Sequence, residues 1–133
     1  MDDYLEFVNL HLKYTFNRKA YKQWKKIVAV QPTEGHTIQD LKNMNEAIVP
    51  TIHHPEELDE KIVIEDEEAF EVARKLSTSE GLFVGMSSGA AVAGALRVAK
   101  VMDSGTIVVI IPDRGDRYLS TTLFLPICGK CPP

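Results

Sequence analysis

The sequence has little of what nucleic-acid-binding, membrane and disulfide-rich proteins depend on. Its formal net charge is −4, so it lacks the basic surface typical of nucleic-acid-binding proteins. No stretch approaches the roughly 20 consecutive apolar residues that a membrane-spanning helix needs. It contains two cysteines and no recognisable signal peptide, internal repeat or low-complexity segment. These absences predict a cytoplasmic protein of one ordinary domain, with neither nucleic acid nor membrane as a partner.

Glycine is missing from residues 1–25, which are instead rich in aromatic side chains. Apolar residues recur there at roughly helical spacing, at Leu5, Val8, Leu12, Phe16 and Trp24. This segment therefore predicts one helix, or two helices broken near Asn17, without a chemical motif. Its aromatic side chains are expected to pack against a sheet or a partner.

The two cysteines, Cys128 and Cys131, form a CxxC motif in the tail, residues 125–133. This spacing is compatible with half of a zinc site or with a redox pair. No second CxxC exists, however, and the four histidines lie in or before the middle of the chain. A redox CxxC usually opens a helix, whereas this one precedes Pro132 and Pro133. We therefore expect incidental thiols and no metal site, with a structural or redox role as the alternative.

Between these ends, short apolar runs alternate with amphipathic stretches. The runs that predict strands are 26–31, 61–65, 82–84 and 106–111. Helices are predicted over 66–79 and 90–102, with weaker helical patterns over 36–50 and 117–124. Continuously apolar strands that alternate with helices are typical of a parallel sheet buried on both faces. Residues 26–124 thus predict an α/β fold with three layers, in which helices flank a mostly parallel sheet.

Three turns follow predicted strands, at residues 31–35, 85–89 and 112–117. Parallel strands joined by right-handed crossovers end at the same edge of a sheet. The three turns are therefore expected to meet in one crevice, which predicts a ligand site there.

The central turn reads Gly85-Met86-Ser87-Ser88-Gly89 and leads into a helix rich in small residues. A strand, a tight turn and a helix N-terminus can present a hydroxyl or free backbone amides to a ligand. Glycines let the backbone turn where a Cβ would clash. The alternative is a plain helix N-cap with a turn glycine. These five residues alone leave both interpretations open.

From residue 26 to residue 124, the sequence resembles the C-terminal half of the cysteine synthase family. These are pyridoxal-phosphate β-replacement enzymes of the tryptophan-synthase-β fold type (fold type II), with cystathionine β-synthase as a relative. The matching stretches are 27–35 (IVAVQPTEG), 36–39 (HTIQ), 67–76, 85–93 (GMSSGAAVA) and 112–121 (PDRGDRYLST). The resemblance implies a parent reaction in which O-acetylserine and sulfide form cysteine.

The resemblance also implies roles for individual residues. Ser87 would hydrogen-bond the pyridine nitrogen of pyridoxal phosphate. A serine hydroxyl does not hold that nitrogen protonated, so the ring becomes a weaker electron sink that suits β-elimination and discourages transamination. Gly85, Ser88 and Gly89 would shape the turn. Pro112 and Asp113 would flank the cofactor ring. Gln39 and Asp40 would lie near the substrate.

Several features of the family have no counterpart in this sequence. The resemblance places the Schiff-base lysine, an asparagine that contacts the cofactor and the loop for the substrate carboxylate in an N-terminal half that is not present here. The glycine-rich phosphate cradle should precede the strand at 26–31, where the glycine-free segment stands. Asp40 occupies a position at which the family usually has glycine, which puts an acidic side chain near the expected substrate carboxylate.

Two functions of different classes follow. In the first, the chain is a partial copy or fragment of a cysteine synthase that is inactive, and does not hold pyridoxal phosphate, on its own. In the second, it is a non-catalytic interaction module that pairs with itself or with a complementary N-terminal half, because missing strands leave sheet edges and apolar faces to cover. A generic nucleotide-binding domain is disfavoured, since no GxGxxG follows a strand and no P-loop is present.

Overall fold

A computed structural model describes the backbone of residues 4–7, 25–51 and 53–124, and the side chains from residue 26 onward within these ranges. Four parallel strands form one sheet in this part of the chain: β1 (Tyr4–Phe7), β2 (Lys25–Pro32), β3 (Glu60–Ile64) and β4 (Thr106–Val109). Their order across the sheet is β3-β2-β1-β4, and every neighbouring pair is parallel. The predicted α/β class with a parallel sheet is confirmed.

Strand β1 corrects the prediction that residues 1–25 are helical. Residues 4–7 pair with β2 on one side and β4 on the other, and Leu5 lies opposite both Lys26 and Ile107. Four residues are too few to distinguish a helical period from a strand, and Tyr and Phe favour strands. The conformation of residues 4–7 is decided by their pairing with β2 and β4, and the spacing of apolar residues along the sequence gives no information about such pairing. The rest of the predicted helical segment, residues 1–3 and 8–24, lies outside the described residues.

Two long helices follow β3: α1 (Asp66–Ser79) and α2 (Met86–Ala99). Helix α1 confirms the predicted span, with Glu65 rather than Asp66 as its N-cap and three acidic residues in its first turn. These side chains complement the positive end of the helix dipole. Helix α2 begins four residues before the predicted start at residue 90 and ends three residues before the predicted end at 102. Two short 3-10 turns, Pro55–Glu57 and Gly115–Tyr118, complete the described helical elements.

The two long helices pack closely because small residues face each other. Ala69 and Ala73 of α1 and Ala90 of α2 are fully buried. Gly89 lies where an added Cβ would meet the carbonyl oxygen of Ala69. Helix α2 in turn contacts β2, β3 and β4. The buried core between these elements comprises Val28, Ile38, Ile62, Ile64, Phe70, Val84, Met86, Val98, Tyr118, Leu123 and Phe124, with the alanines noted above.

Three other predicted elements are wrong. Residues 82–84 are not a strand of the parallel sheet, because Val84 forms a single antiparallel bridge to Arg114 and Leu82 and Phe83 stay half-exposed. Residues 36–50 form turns, in which the Asn43 side chain binds backbone groups instead of leaving them to a helix. Within 117–124 the only helical residues are those of the 3-10 turn that ends at Tyr118. In each case a short or weak pattern was outweighed by contacts that the local sequence does not report.

Among the described residues, no helix has the length and apolar character needed to cross a membrane. The same part of the chain contains no group of three or more His, Cys, Asp or Glu side chains suited to a metal ion. The CxxC motif of residues 125–133 lies outside the described residues, so its role stays a prediction.

Candidate functional site

The start of α2 is joined to the turn that follows β4. Val84 and Arg114 form the antiparallel bridge, the Gly85 amide donates to the Asp113 carbonyl at 3.3 Å, and the Gly115 amide donates to the Phe83 carbonyl at 3.1 Å. Two of the three turns predicted to converge, 85–89 and 112–117, therefore meet directly. We call the residues 83–88 and 113–118 the corner.

The first amides of α2 are bound by a carboxylate from a distant part of the chain. Gly85 is the N-cap, and no side chain at that position caps the helix. The Ser87 amide donates to Asp113 Oδ2 at 3.1 Å, and the Ser88 amide donates to Asp113 Oδ1 at 2.9 Å. A negative group at this end of a helix satisfies the free amides and complements the helix dipole. Neither serine caps the helix in the way that the alternative interpretation, a plain helix N-cap, predicted.

The two serine hydroxyls of the corner differ in their partners. Ser88 Oγ donates to Asp113 Oδ1 and accepts from the Asp113 amide at 3.3 Å. Ser87 Oγ is also buried, in a residue that is only 1% exposed, but it has no hydrogen-bond partner among the described residues. A buried hydroxyl without a partner is unfavourable by about 1–3 kcal/mol. A ligand that accepts or donates one hydrogen bond at this atom would remove that penalty.

Gly85 is required by close approach and not by an unusual backbone angle. Its φ of −97° is open to any residue. An added Cβ would instead meet the Tyr118 ring and the Asp113 carboxylate. The corner is thus packed from both sides of Gly85, by a ring and by the carboxylate that binds α2.

Tyr118 connects the corner to the loop that contains the predicted substrate residues. Its ring is buried, and its hydroxyl donates to Asp40 Oδ2 at 2.9 Å. Burial raises the pKa of the Tyr118 hydroxyl well above its usual value, and the hydrogen bond to Asp40 adds to the effect. Asp40 has a φ of 65°, in the left-handed region that favours glycine. The backbone therefore explains why glycine would suit this position, and the Tyr118 contact shows what the aspartate does there.

The third predicted turn, 31–35, is held to residues 43–46. Asn43 Nδ2 donates to the Pro32 carbonyl at 2.9 Å, and the Gly35 amide donates to the Glu46 carboxylate at 3.0 Å. The loop that follows this turn reaches the corner through the hydrogen bond between Tyr118 and Asp40.

The structure places the predicted site residues in four groups. Gly85, Ser87, Ser88 and Asp113 lie together in the corner. Gly89 faces α1, Pro112 and Gln39 are exposed, and Asp40 is tied to the corner by one hydrogen bond. Sequence reasoning did not single out Tyr118 and did not predict that Asp113 binds the amides of α2, since partners 25 or more residues apart leave no local pattern. The Arg-Tyr-Leu-Ser-Thr stretch was the available signal for Tyr118.

Comparison with known proteins decides the family. The profile of the pyridoxal-phosphate dependent enzyme family matches residues 14–113. The chain belongs to the pyridoxal-phosphate dependent enzymes. It is 46% identical to cysteine synthase B of Escherichia coli (strain K12) over 98 residues, which are 74% of this chain and 32% of that protein.

Two solved enzyme structures share the fold. O-acetyl serine sulfhydrylase isoform 3 from Entamoeba histolytica superimposes with a TM-score of 0.75 at 32% identity, covering 92% of this chain and 41% of that one. O-ureido-L-serine synthase superimposes with a TM-score of 0.75 at 28% identity, covering 93% of this chain and 43% of that one. The chain spans about a third of the length of the curated relatives it matches.

Proposed function

We propose that this chain supplies the pyridine-nitrogen side of the cofactor site in a cysteine synthase-like β-replacement, in which O-acetylserine and sulfide yield cysteine and acetate. The observation that carries the proposal is Ser87 Oγ, a buried hydroxyl at the start of α2 without a hydrogen-bond partner in the part of the chain that the structure describes. Membership of the pyridoxal-phosphate dependent enzymes supplies the ligand class.

The chemistry of Ser87 fits a pyridine ring. Its hydroxyl can donate to an unprotonated ring nitrogen, and its burial keeps water from competing for that bond. Bound pyridoxal phosphate supplies an electron sink for bond cleavage at the α- and β-carbons of an amino acid. Ser87 would hold the ring without protonating it, because a serine hydroxyl is a far weaker acid than a carboxylic acid.

The substrate side is proposed to involve Gln39 and Asp40. Both residues are exposed, and the Tyr118 bond holds the Asp40 carboxylate beside the corner. A carboxylate there repels the carboxylate of an amino-acid substrate, which disfavours tight binding of O-acetylserine. Pro112 is exposed, and we propose that it flanks the pyridine ring of the cofactor from the turn that follows β4.

We further propose that these 133 residues do not turn over substrate by themselves. In the family that the sequence resembles, the Schiff-base lysine and the glycine-rich phosphate cradle belong to stretches without a counterpart here. Affinity for the cofactor should therefore be weak, and a complementary N-terminal half is the partner that would complete the site.

The proposal is tested by titrating pyridoxal phosphate into the purified chain and into its Ser87→Ala variant. Binding is followed by the visible absorbance of the cofactor, with borohydride trapping to detect a covalent lysine adduct. Weak binding that Ser87→Ala reduces about tenfold, with no single lysine trapped, is expected from the loss of one buried hydrogen bond. The exposed Ser104→Ala change is the matched control. Equal affinity of the chain and the Ser87→Ala variant would reject the role of Ser87, and cysteine formation at enzyme-like rates would reject inactivity.

A second function is favoured by exposed apolar side chains. Val63 of β3 and Val108 of β4, which lie in the two outer strands of the described sheet, are 42% and 45% exposed. Leu82 and Leu119 beside the corner are about half-exposed. Such surface suits a non-catalytic module that pairs with itself or with a complementary half. A mass of two chains in sedimentation equilibrium supports self-association, and a monomer across the concentration range rejects it.

A further inference from the structure

Two neighbouring serines in one helix turn have opposite hydrogen-bonding states. Asp113 is only 8% exposed, and it binds the Ser87 amide, the Ser88 amide and the Ser88 hydroxyl. Ser87 Oγ, in the same turn, has no hydrogen-bond partner within residues 4–7, 25–51 and 53–124. The Asp113 carboxylate therefore binds both serine amides and the Ser88 hydroxyl. Of the hydrogen-bond donors of these two serines, it leaves out the Ser87 hydroxyl alone.

Asp113 is itself held in place by its backbone. Its carbonyl accepts from the Gly85 amide at 3.3 Å, and the adjacent Arg114 bridges to Val84. The Gly85 Cα leaves open the space that the carboxylate and the Tyr118 ring enter. The position of the carboxylate relative to α2 is thus determined by contacts on both chain segments.

The same carboxylate occupies the place where a helix N-terminus would otherwise bind an anion. Free amides and the helix dipole attract phosphate groups. At α2 the amides of Ser87 and Ser88 already donate to Asp113, so a negatively charged ligand group would meet a negative charge. The end of α2 is therefore suited to a neutral ring atom and unsuited to a phosphate.

From these contacts we infer that Asp113 does not bind the cofactor but is a positioning residue for Ser87. It binds the first amides of α2, fixes the helix turn that carries Ser87, and leaves the Ser87 hydroxyl as the group that meets the pyridine nitrogen. This inference rests on the proposed function, because it assumes that Ser87 meets a pyridine ring.

The test uses nuclear magnetic resonance on the full 133-residue chain with pyridoxine, which carries the pyridine ring but has neither a phosphate nor the aldehyde that forms a covalent bond to lysine. Amide exchange at Ser87 and Ser88 reports the contact with Asp113, and chemical shift changes at millimolar ligand report binding. Asp113→Ala should speed exchange of both amides at least tenfold and weaken binding as much as Ser87→Ala does. Asp113→Asn keeps one acceptor oxygen. Its amide exchange rates and its ligand affinity should therefore lie between those of the unaltered chain and those of Asp113→Ala.

Asp103→Asn is the matched control, because Asp103 is an exposed acid outside the corner, between α2 and β4. It should change neither measurement. If the unchanged chain binds no ligand at millimolar concentration, the proposed function and this inference fail together. If Ser87→Ala abolishes binding while Asp113→Ala or Asp113→Asn leaves it intact, only the positioning role of Asp113 fails. Amide exchange along the rest of α2 shows whether Asp113→Ala is folded. If it is unfolded, the comparison of the unaltered chain with Asp113→Asn decides whether Asp113 positions Ser87.

Addition of inorganic phosphate alone gives a second readout. Phosphate should shift the Ser87 and Ser88 amide signals in Asp113→Ala, where the amides are free, and should leave them unchanged in the unaltered chain. Phosphate binding at these amides in the unaltered chain would contradict the inference that Asp113 excludes anions from this helix end.

Discussion

The corner and the loop of residues 36–50 are neighbours that are built in different ways. In the corner, Gly85, Ser88 and Asp113 are buried, and hydrogen bonds join segments 25 or more residues apart. In the loop, most side chains face solvent, and Ile48 is 94% exposed. The single described hydrogen bond between them joins Tyr118 to Asp40. The difference shows that the ring-binding side of the proposed site is set by packing, whereas the substrate side depends on local turns.

The largest expected effect comes from replacing Gly85. Gly85→Ala places a methyl group against the Tyr118 ring and the Asp113 carboxylate, and overpacking of this kind costs about 3 kcal/mol. Gly35→Ala in the turn at 31–35 meets open space, and its positive φ alone should cost about 1 kcal/mol. Urea denaturation measures both changes in the free energy of unfolding. Equal losses would remove the distinction between a packed corner and an open turn.

The next effect concerns Tyr118 and pH. Burial and the Asp40 hydrogen bond favour the neutral hydroxyl, so the pKa of Tyr118 is higher in the folded chain than in the unfolded chain. This contribution to stability is fully present below the unfolded pKa of about 10 and is lost as pH rises above it. We expect the free energy of unfolding to fall less steeply above pH 10 in Tyr118→Phe than in the unchanged chain. Parallel pH profiles would show that Tyr118 ionises alike in both states.

The loss of the hydrogen bond itself is also measured in Tyr118→Phe. At neutral pH the variant should be less stable by about 1 kcal/mol, since water can reach the exposed Asp40 and replace the donor. Thermal unfolding at pH 7 provides this number. An unchanged midpoint would mean that the hydroxyl adds nothing to the link between corner and loop.

The smallest effect is expected at Asp40. Asp40→Gly relieves the left-handed backbone, which favours folding, and removes the acceptor for Tyr118, which opposes it. These terms are each about 1 kcal/mol, so the net change should lie within about 1 kcal/mol of zero. Asp40→Asn, which also tolerates this backbone region, is the control that keeps an acceptor oxygen. A loss well beyond this range in Asp40→Gly would show that the loop depends on the corner far more than the contacts imply.

Sequence patterns predicted those elements whose signal is long or chemically unusual. Helix α1 was predicted over its full span because its apolar stripe and acidic first turn persist for 14 residues. Strands β2 and β3 were predicted to within a residue, since their apolar runs are bounded by turns. The run at 82–84 failed because three apolar residues are compatible with a bridge beside Arg114 as well as with a strand.

The candidate site was predictable in its composition but not in its arrangement. Ser87, Ser88, Gly85 and Asp113 were all singled out, and they lie together in the corner. The role of each of these residues was not predictable, because it depends on which carboxylate binds the amides of α2. The strand at 4–7 was missed for the same reason, since its pairing partners lie about 20 and 100 residues away.

The sequence by itself determined the α/β class, the main helices and the residue types of the corner, because hydrophobic periodicity and a motif of serines and glycines act over a few neighbouring residues. Only the tertiary structure decided that β1 lies between β2 and β4, that Asp113 binds the start of α2, and that Ser87 Oγ has no partner among the residues described. These features depend on contacts between distant segments, and the geometry of such contacts is set by the packing of the whole chain.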